Sequence, residues 1–149
     1  MKMKCYRITP IGIMHSNLKT RKDATNSKPA ENIGEIEIFK KYEDGLTDIE
    51  GFSHLAVIFW MHKSSFKSLM VRPIHFPKEI HGVFATKHPN RPNPLGLTIV
   101  ELLERTGNRL KVKGIDMIDN TPVLDIKPYT LSHVKIPTKF GWLTPYQPH

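Results

Sequence analysis

His88, Arg91, Asn93, Thr121 and Lys127 each stand directly before a proline. Proline fixes its own φ and keeps the preceding residue out of the α region, so these donors and acceptors sit on extended backbone with little freedom left to lose. Most fall in two stretches, Arg91-Pro92-Asn93-Pro94-Leu95-Gly96-Leu97 and Asp119-Asn120-Thr121-Pro122-Val123-Leu124-Asp125-Ile126-Lys127-Pro128-Tyr129. Each stretch adjoins a strand-like apolar run. A rigid shelf of hydrogen-bonding groups suits ligand binding, because preorganised groups lose less entropy when the ligand arrives. Prolines at sheet edges also guard against wrong pairing. Two shelves dense in polar groups favour a binding site over that simpler reading.

Further candidates flank the shelves. His62 and Lys63 close the apolar run that begins after Phe52-Ser53-His54. Lys87 follows Phe84-Ala85-Thr86 and leads into the first shelf. Asp119 has the setting of a turn aspartate that accepts backbone N–H bonds, and Asn120 tolerates positive φ. Asp125 lies mid-strand, where a carboxylate is costly without a partner. It is either an ion-paired strut or, with His62, a candidate general base.

Several chemistries are absent from the motifs. The chain has neither the Gly-x-x-x-x-Gly-Lys-Ser/Thr phosphate loop nor the Gly-x-Gly-x-x-Gly dinucleotide turn. It has no Gly-x-Ser-x-Gly elbow. Its 8 histidines do not fall at zinc spacing, with each other or with the lone Cys5, so no metal site is expected. One cysteine excludes an intrachain disulfide and suits a reducing compartment. The start Met1-Lys2-Met3-Lys4-Cys5-Tyr6-Arg7 is not a signal peptide, and the apolar run Leu55 to Met61 is too short for a bilayer. A soluble cytoplasmic protein is the expectation. The formal charge of +8 favours a polyanionic partner, nucleic acid before membrane.

The elements that must hold these residues are short strands. Ile33 to Phe39 alternates isoleucines with glutamates, the mark of a half-buried strand. Leu55 to Met61 is apolar on both faces and reads as a central strand. Leu97 to Leu103, the turn Thr106-Gly107-Asn108, and Arg109 to Lys113 form a hairpin with basic residues outward. Val123 to Ile126 adds another strand. One or two helical turns are expected over Ser64 to Met70, and a long mobile loop over Asn17 to Asn32. The fold class is mainly β: a small antiparallel β-barrel of short strands with few short helices, forming one domain across residues 1–149.

Gly51-Phe52-Ser53-His54-Leu55, Gly82-Val83-Phe84-Ala85-Thr86, Arg91-Pro92-Asn93-Pro94-Leu95-Gly96 and Thr121-Pro122-Val123-Leu124-Asp125-Ile126-Lys127-Pro128-Tyr129 resemble the TrmO family, also called YaeB or TsaA-like. The likeness is collinear from about Ile11 to Tyr129. It implies a β-barrel methyltransferase that uses S-adenosylmethionine without a Rossmann fold. The acceptor it implies is the N6 nitrogen of N6-threonylcarbamoyladenosine next to the tRNA anticodon. It further implies a homodimer with the cofactor near the subunit interface.

By the same resemblance, cofactor contacts fall on His62, Lys63, Lys87, Leu97 and the turn Asp119, Asn120, Thr121 and Pro122. Thr25, Asn26 and Ser27 align loosely with a Pro-Arg-Gln segment that also contacts the cofactor. Lys87 stands where arginine is frequent, and Asn120 where glycine is usual. Arg91, Asn93, Lys127 and Tyr129 are expected to meet the RNA. Longer bacterial relatives carry an additional C-terminal domain, so tRNA selection is expected from the barrel face and a partner subunit. The alternatives are an RNA- or cofactor-binding module without catalysis, and a methyltransferase for another acceptor.

Overall fold

The structure is a computed structural model that describes residues 1–148. Its strands are β1 (Gly12–His15), β2 (Ile33–Ile38), β3 (His54–Trp60), β4 (Met70–Val71), β5 (His81–Gly82), β6 (Leu95–Thr106), β7 (Arg109–Lys113) and β8 (Thr121–Pro128). Six of them close a barrel in the order β1-β2-β7-β6-β3-β8, all neighbours antiparallel. Closure removes the free sheet edges that a small open sheet would expose.

The alternating sequence patterns decide which face points inward. Ile36 and Ile38 of β2 and Leu110 and Val112 of β7 are buried in the barrel. Glu35 and Glu37 point out and pair with Arg109 across the strands. The expected β6–β7 hairpin forms, with a register shift between Leu102 and Glu104. β3 lies between β6 and β8, and Leu55, Ala56 and Val57 are buried in succession, as an apolar run on both faces requires. Met14, Val100, Ile115, Met117 and Val123 complete the core.

Two expectations are corrected. Asn17 to Asn32 holds structure: helix α1 (Arg21–Asn26) and a 3-10 turn at Pro29–Glu31. A reciprocal cap starts α1, with Thr20 Oγ1 accepting the Asp23 N–H at 3.1 Å and Asp23 Oδ2 accepting the Thr20 N–H at 2.8 Å. Asn32 Nδ2 then donates to the Ile115 carbonyl at 2.9 Å, fastening the segment to the barrel. Ser64 to Met70, by contrast, forms no helix. Asn90 Oδ1 takes the Ser65 N–H at 3.1 Å, and Ser68 Oγ takes the Met70 N–H at 3.1 Å. Such side-chain bonds compete with helical ones, and the segment runs instead into β4, which pairs with β5.

Candidate functional site

The first proline shelf meets the end of β3. Trp60 pairs with Leu95, and the Met61 N–H donates to the Pro94 carbonyl at 2.7 Å. Beyond this point a cleft of about 680 Å³ opens. Phe59, Met61, Met117 and Ile118 lie on its barrel side. Arg21, Ala24 and Thr25 of α1 form one flank, and the loops Pro73 to Phe76 and Phe84 to Pro89 form others. Gly96 permits this packing: a Cβ there would lie 2.2 Å from the Phe59 ring.

The turn before β8 is locked from both sides. Asn120 has φ 62°, the left-handed conformation that asparagine tolerates. Asp119 Oδ1 accepts the Ser16 N–H at 3.0 Å, the backbone role expected of a turn aspartate. Its Oδ2 accepts from Lys19 Nζ at 2.7 Å. Lys19 and then the Ser16 amide hold the Asp119 carboxyl below its ordinary pKa of 3.8. Thr121, 2% exposed, donates its hydroxyl to the Ile118 carbonyl at 2.7 Å and lines the cleft. The same residues tie down the segment leading into α1, since the Asp119 N–H donates to the Leu18 carbonyl at 2.6 Å.

His62 and Lys63 follow β3. Burial first, then the Lys63 charge, pushes His62 below its ordinary pKa of 6.5. Its Nδ1 and the Ser64 Oγ are buried with no hydrogen-bond partner among the described residues. Unpaired buried polar atoms are uncommon and call for an explanation such as a bound ligand or water. Lys63 lines the cleft and donates to the Lys19 carbonyl at 3.3 Å. Lys87 lines it from the opposite loop and has no ion-pair partner among the described residues.

Arg91 shapes that loop. Its guanidinium donates to the Thr86 carbonyl at 3.0 Å and lies 6.0 Å from the Phe84 ring centre. His88 Nδ1 accepts the Asn90 N–H at 3.1 Å. Burial, then the Arg21 and Arg91 charges, lowers the His88 pKa.

The cleft therefore gathers Thr25, Lys63, Lys87 and Thr121 from four separate segments, whereas His62 and Asp119 are sequence neighbours of lining residues and do not line it themselves. Asn26 and Ser27 do not line it; Ser27 Oγ caps α1 by donating to the Ala24 carbonyl at 2.9 Å. Pro122 pairs with Ile13 in the barrel wall. Asn93 sits in the turn into β6, its carbonyl accepting the Leu95 N–H at 2.7 Å. Leu97 is on the outer face of β6, 62% exposed and away from the cleft of its own chain.

Lys127 and Tyr129 lie elsewhere. The eight residues of β8 carry the chain roughly 26 Å at the usual strand rise, so the two ends of the second shelf cannot share one small ligand. Lys127 Nζ pairs with Asp125 Oδ2 at 2.8 Å, the strut that the mid-strand carboxylate required. Tyr129 stacks on His133 with ring centres 5.2 Å apart. Asp125 lines a separate depression with Lys41 and Tyr42, and His62 stands between the cleft-lining Met61 and Lys63 without lining the cleft itself.

Apart from Thr25, the sequence expectations did not include the α1 flank (Arg21 and Ala24), the Pro73 to Phe76 loop or the wall made by Trp142 and Leu143. The Thr20-x-x-Asp23 capping pattern signalled α1. Phe140-Gly141-Trp142-Leu143, an apolar knot in a polar tail, signalled the wall.

The residues fit S-adenosylmethionine: apolar surface for a flat ring, the cations Lys63 and Lys87 for a carboxylate, and among the lining residues Ser64, whose buried hydroxyl has no partner among the described residues. Known proteins agree with that chemistry. A probable S-adenosyl-L-methionine-binding protein of Pyrococcus abyssi is 46% identical over 144 residues, spanning 95% of this chain and 77% of that protein. The human tRNA (adenine(37)-N6)-methyltransferase is 44% identical over 94 residues, 62% of this chain and 21% of that protein. A crystal structure of TrmO superimposes with a TM-score of 0.78 at 31% identity, covering 93% of this chain and 64% of that one. The sequence model of the tRNA-methyltransferase O N-terminal domain matches residues 13–133, and the chain belongs to that family.

Proposed function

We propose that this chain is an S-adenosylmethionine-dependent methyltransferase whose acceptor is the N6 nitrogen of N6-threonylcarbamoyladenosine beside the tRNA anticodon. The observation that carries the reading is the cleft at the end of β3, where apolar walls meet the cations Lys63 and Lys87. When bound, the cofactor supplies an electrophilic methyl group. Lys63 and Lys87 hold carboxylates by charge-assisted bonds, those of the cofactor and of the threonyl group. Phe59, Met61 and Phe84 keep water from the reacting atoms. The N6 proton leaves as the methyl group arrives, with His62, neutral through burial and the Lys63 charge, as the candidate acceptor. The carbamoyl attachment makes that proton easier to lose than one on plain adenosine.

Two further features support the reading. The net charge of +8 suits a polyanionic substrate. Leu95, Leu97 and Ile99 form an exposed apolar stripe along β6, the kind of surface a second copy covers. In such a homodimer Leu97 would meet the partner's cleft, giving that residue a cofactor contact it lacks within one chain.

The test is transfer of a labelled methyl group onto matched tRNAs that differ only in the threonylcarbamoyl group. Transfer to the modified tRNA alone is expected. Equal transfer to both would move the protein to another acceptor. Cofactor binding without transfer to any RNA would make it a binding module.

A further inference from the structure

The segment Gly141–Tyr146 lies beyond the residues 13–133 that the family domain matches, yet Trp142 and Leu143 line the cleft. This strap is pinned at several points. Trp142 Nε1–H donates to the Ala85 carbonyl at 2.8 Å, next to the loop that carries Lys87. One face of the indole stacks on His81, with ring centres 4.0 Å apart and planes 14° from parallel. Phe76 meets the indole edge-on at 5.6 Å and 85°. Tyr146 Oη donates to Glu79 Oε1 at 2.6 Å, and Glu79 Oε2 pairs with His81 Nε2 at 2.8 Å. Glu79 thus fastens the strap to the imidazole under the tryptophan.

These contacts fix the indole in position and rotation while occupying one of its two faces. Among the described residues, no other ring stacks on it. A half-buried aromatic held rigid on the lining of a ligand cleft, with His81 as the one ring stacked parallel to it among the described residues, is a stacking platform whose ordering cost is already met in folding. We infer that Trp142 is a positioning residue that stacks on an adenine-type ring in the cleft. That ring belongs either to the cofactor or to the acceptor nucleoside, and the inference rests on the function proposed above.

The test compares wild type with Trp142→Ala and Trp142→Phe. Calorimetry gives Kd for S-adenosylmethionine, methyl-transfer kinetics give KM for threonylcarbamoyl-modified tRNA, and thermal unfolding gives Tm. Losing one stack should raise one of the two constants about tenfold, with kcat changed far less. A rise in cofactor Kd assigns the ring to S-adenosylmethionine; a rise in tRNA KM alone assigns it to the nucleoside. Trp142→Phe keeps a stacking face but loses the Nε1–H, and it should restore the constant to within about threefold, since one stack is of modest strength. Wild-type binding of both probes with both constants unchanged in Trp142→Ala would overturn this inference alone. Trp142→Phe as impaired as Trp142→Ala would also overturn it, leaving the bond to Ala85 as the whole role. Wild type that binds neither probe would overturn the proposed function and this inference together.

Discussion

The two ends of β8 use similar residues in opposite ways. At the Thr121 end the backbone is locked by Asp119 and Asn120, while Lys63 and Lys87 line the cleft with no carboxylate partner among the described residues. At the Lys127 end the charges are already spent on each other, through the 2.8 Å pair of Lys127 with Asp125. Tyr129 is likewise occupied by His133 and, at 6.2 Å, by His54. A cation paired within the chain has little left for a ligand, and one held apart from carboxylates keeps its full attraction. The difference separates a site from a strut where residue type alone does not.

The largest effect should come from charge removal at the cleft end. Lys63→Ala combined with Lys87→Ala should lower kcat/KM for methyl transfer by about a hundredfold or more, two charge-assisted contacts being lost. Lys127→Ala should stay within about twofold, as expected for an exposed pair. Equal losses would erase the distinction between the ends.

Packing sharpens the same contrast. Gly96→Ala drives a methyl group into Phe59 and should destabilise the fold by about 1–3 kcal/mol, read as a lower denaturant midpoint, with weaker cofactor binding alongside. Gly51, near the far end of β3, has open space around its missing Cβ, so Gly51→Ala should leave the midpoint nearly unchanged.

Acid should act on the cleft end first. His62 and His88 both titrate below 6.5 in the folded chain. The unfolded chain therefore takes up protons before the folded one does as pH falls. Their contribution is fully present above about 6.5 and is lost as pH drops towards the folded values. His62→Gln should flatten the decline in Tm between pH 7 and pH 5, measured by scanning calorimetry at matched ionic strength. A steeper decline in the variant would reverse the assignment.

The smallest effect belongs to the strut. Asp125→Asn should shift Tm by about a degree or less, because exposed ion pairs contribute little. A loss of methyl transfer in that variant would return Asp125 to the chemistry.

Much of the barrel was legible because strand periodicity is written in single residues. Ile36 and Ile38 against Glu35 and Glu37, or Leu110 and Val112 against their lysines, fix a face without reference to the rest of the chain. β1, β4 and β5 were not legible, since runs of two to four residues carry too little pattern. Helix α1 has no buried residue, so its only signal was the cap at Thr20 and Asp23. The cleft was legible in part. Thr25, Lys63, Lys87 and Thr121 were named from the shelves and the family likeness, whereas Arg21 and Trp142 reach the cleft through tertiary packing, which the local patterns around them hint at but do not direct to this site. The second shelf misled in one respect: a strand holds its two ends apart, so adjacency in sequence did not mean adjacency in a site.

The central claim is that the cofactor sits at the Thr121 end of the barrel. A crystal structure of the chain grown with S-adenosylmethionine tests it most directly. Density is expected against Phe59 and Met61, with the carboxylate within hydrogen-bond reach of Lys63 or Lys87. Density in the depression beside Asp125 and Lys41 instead, or an empty cleft at saturating cofactor, would contradict it.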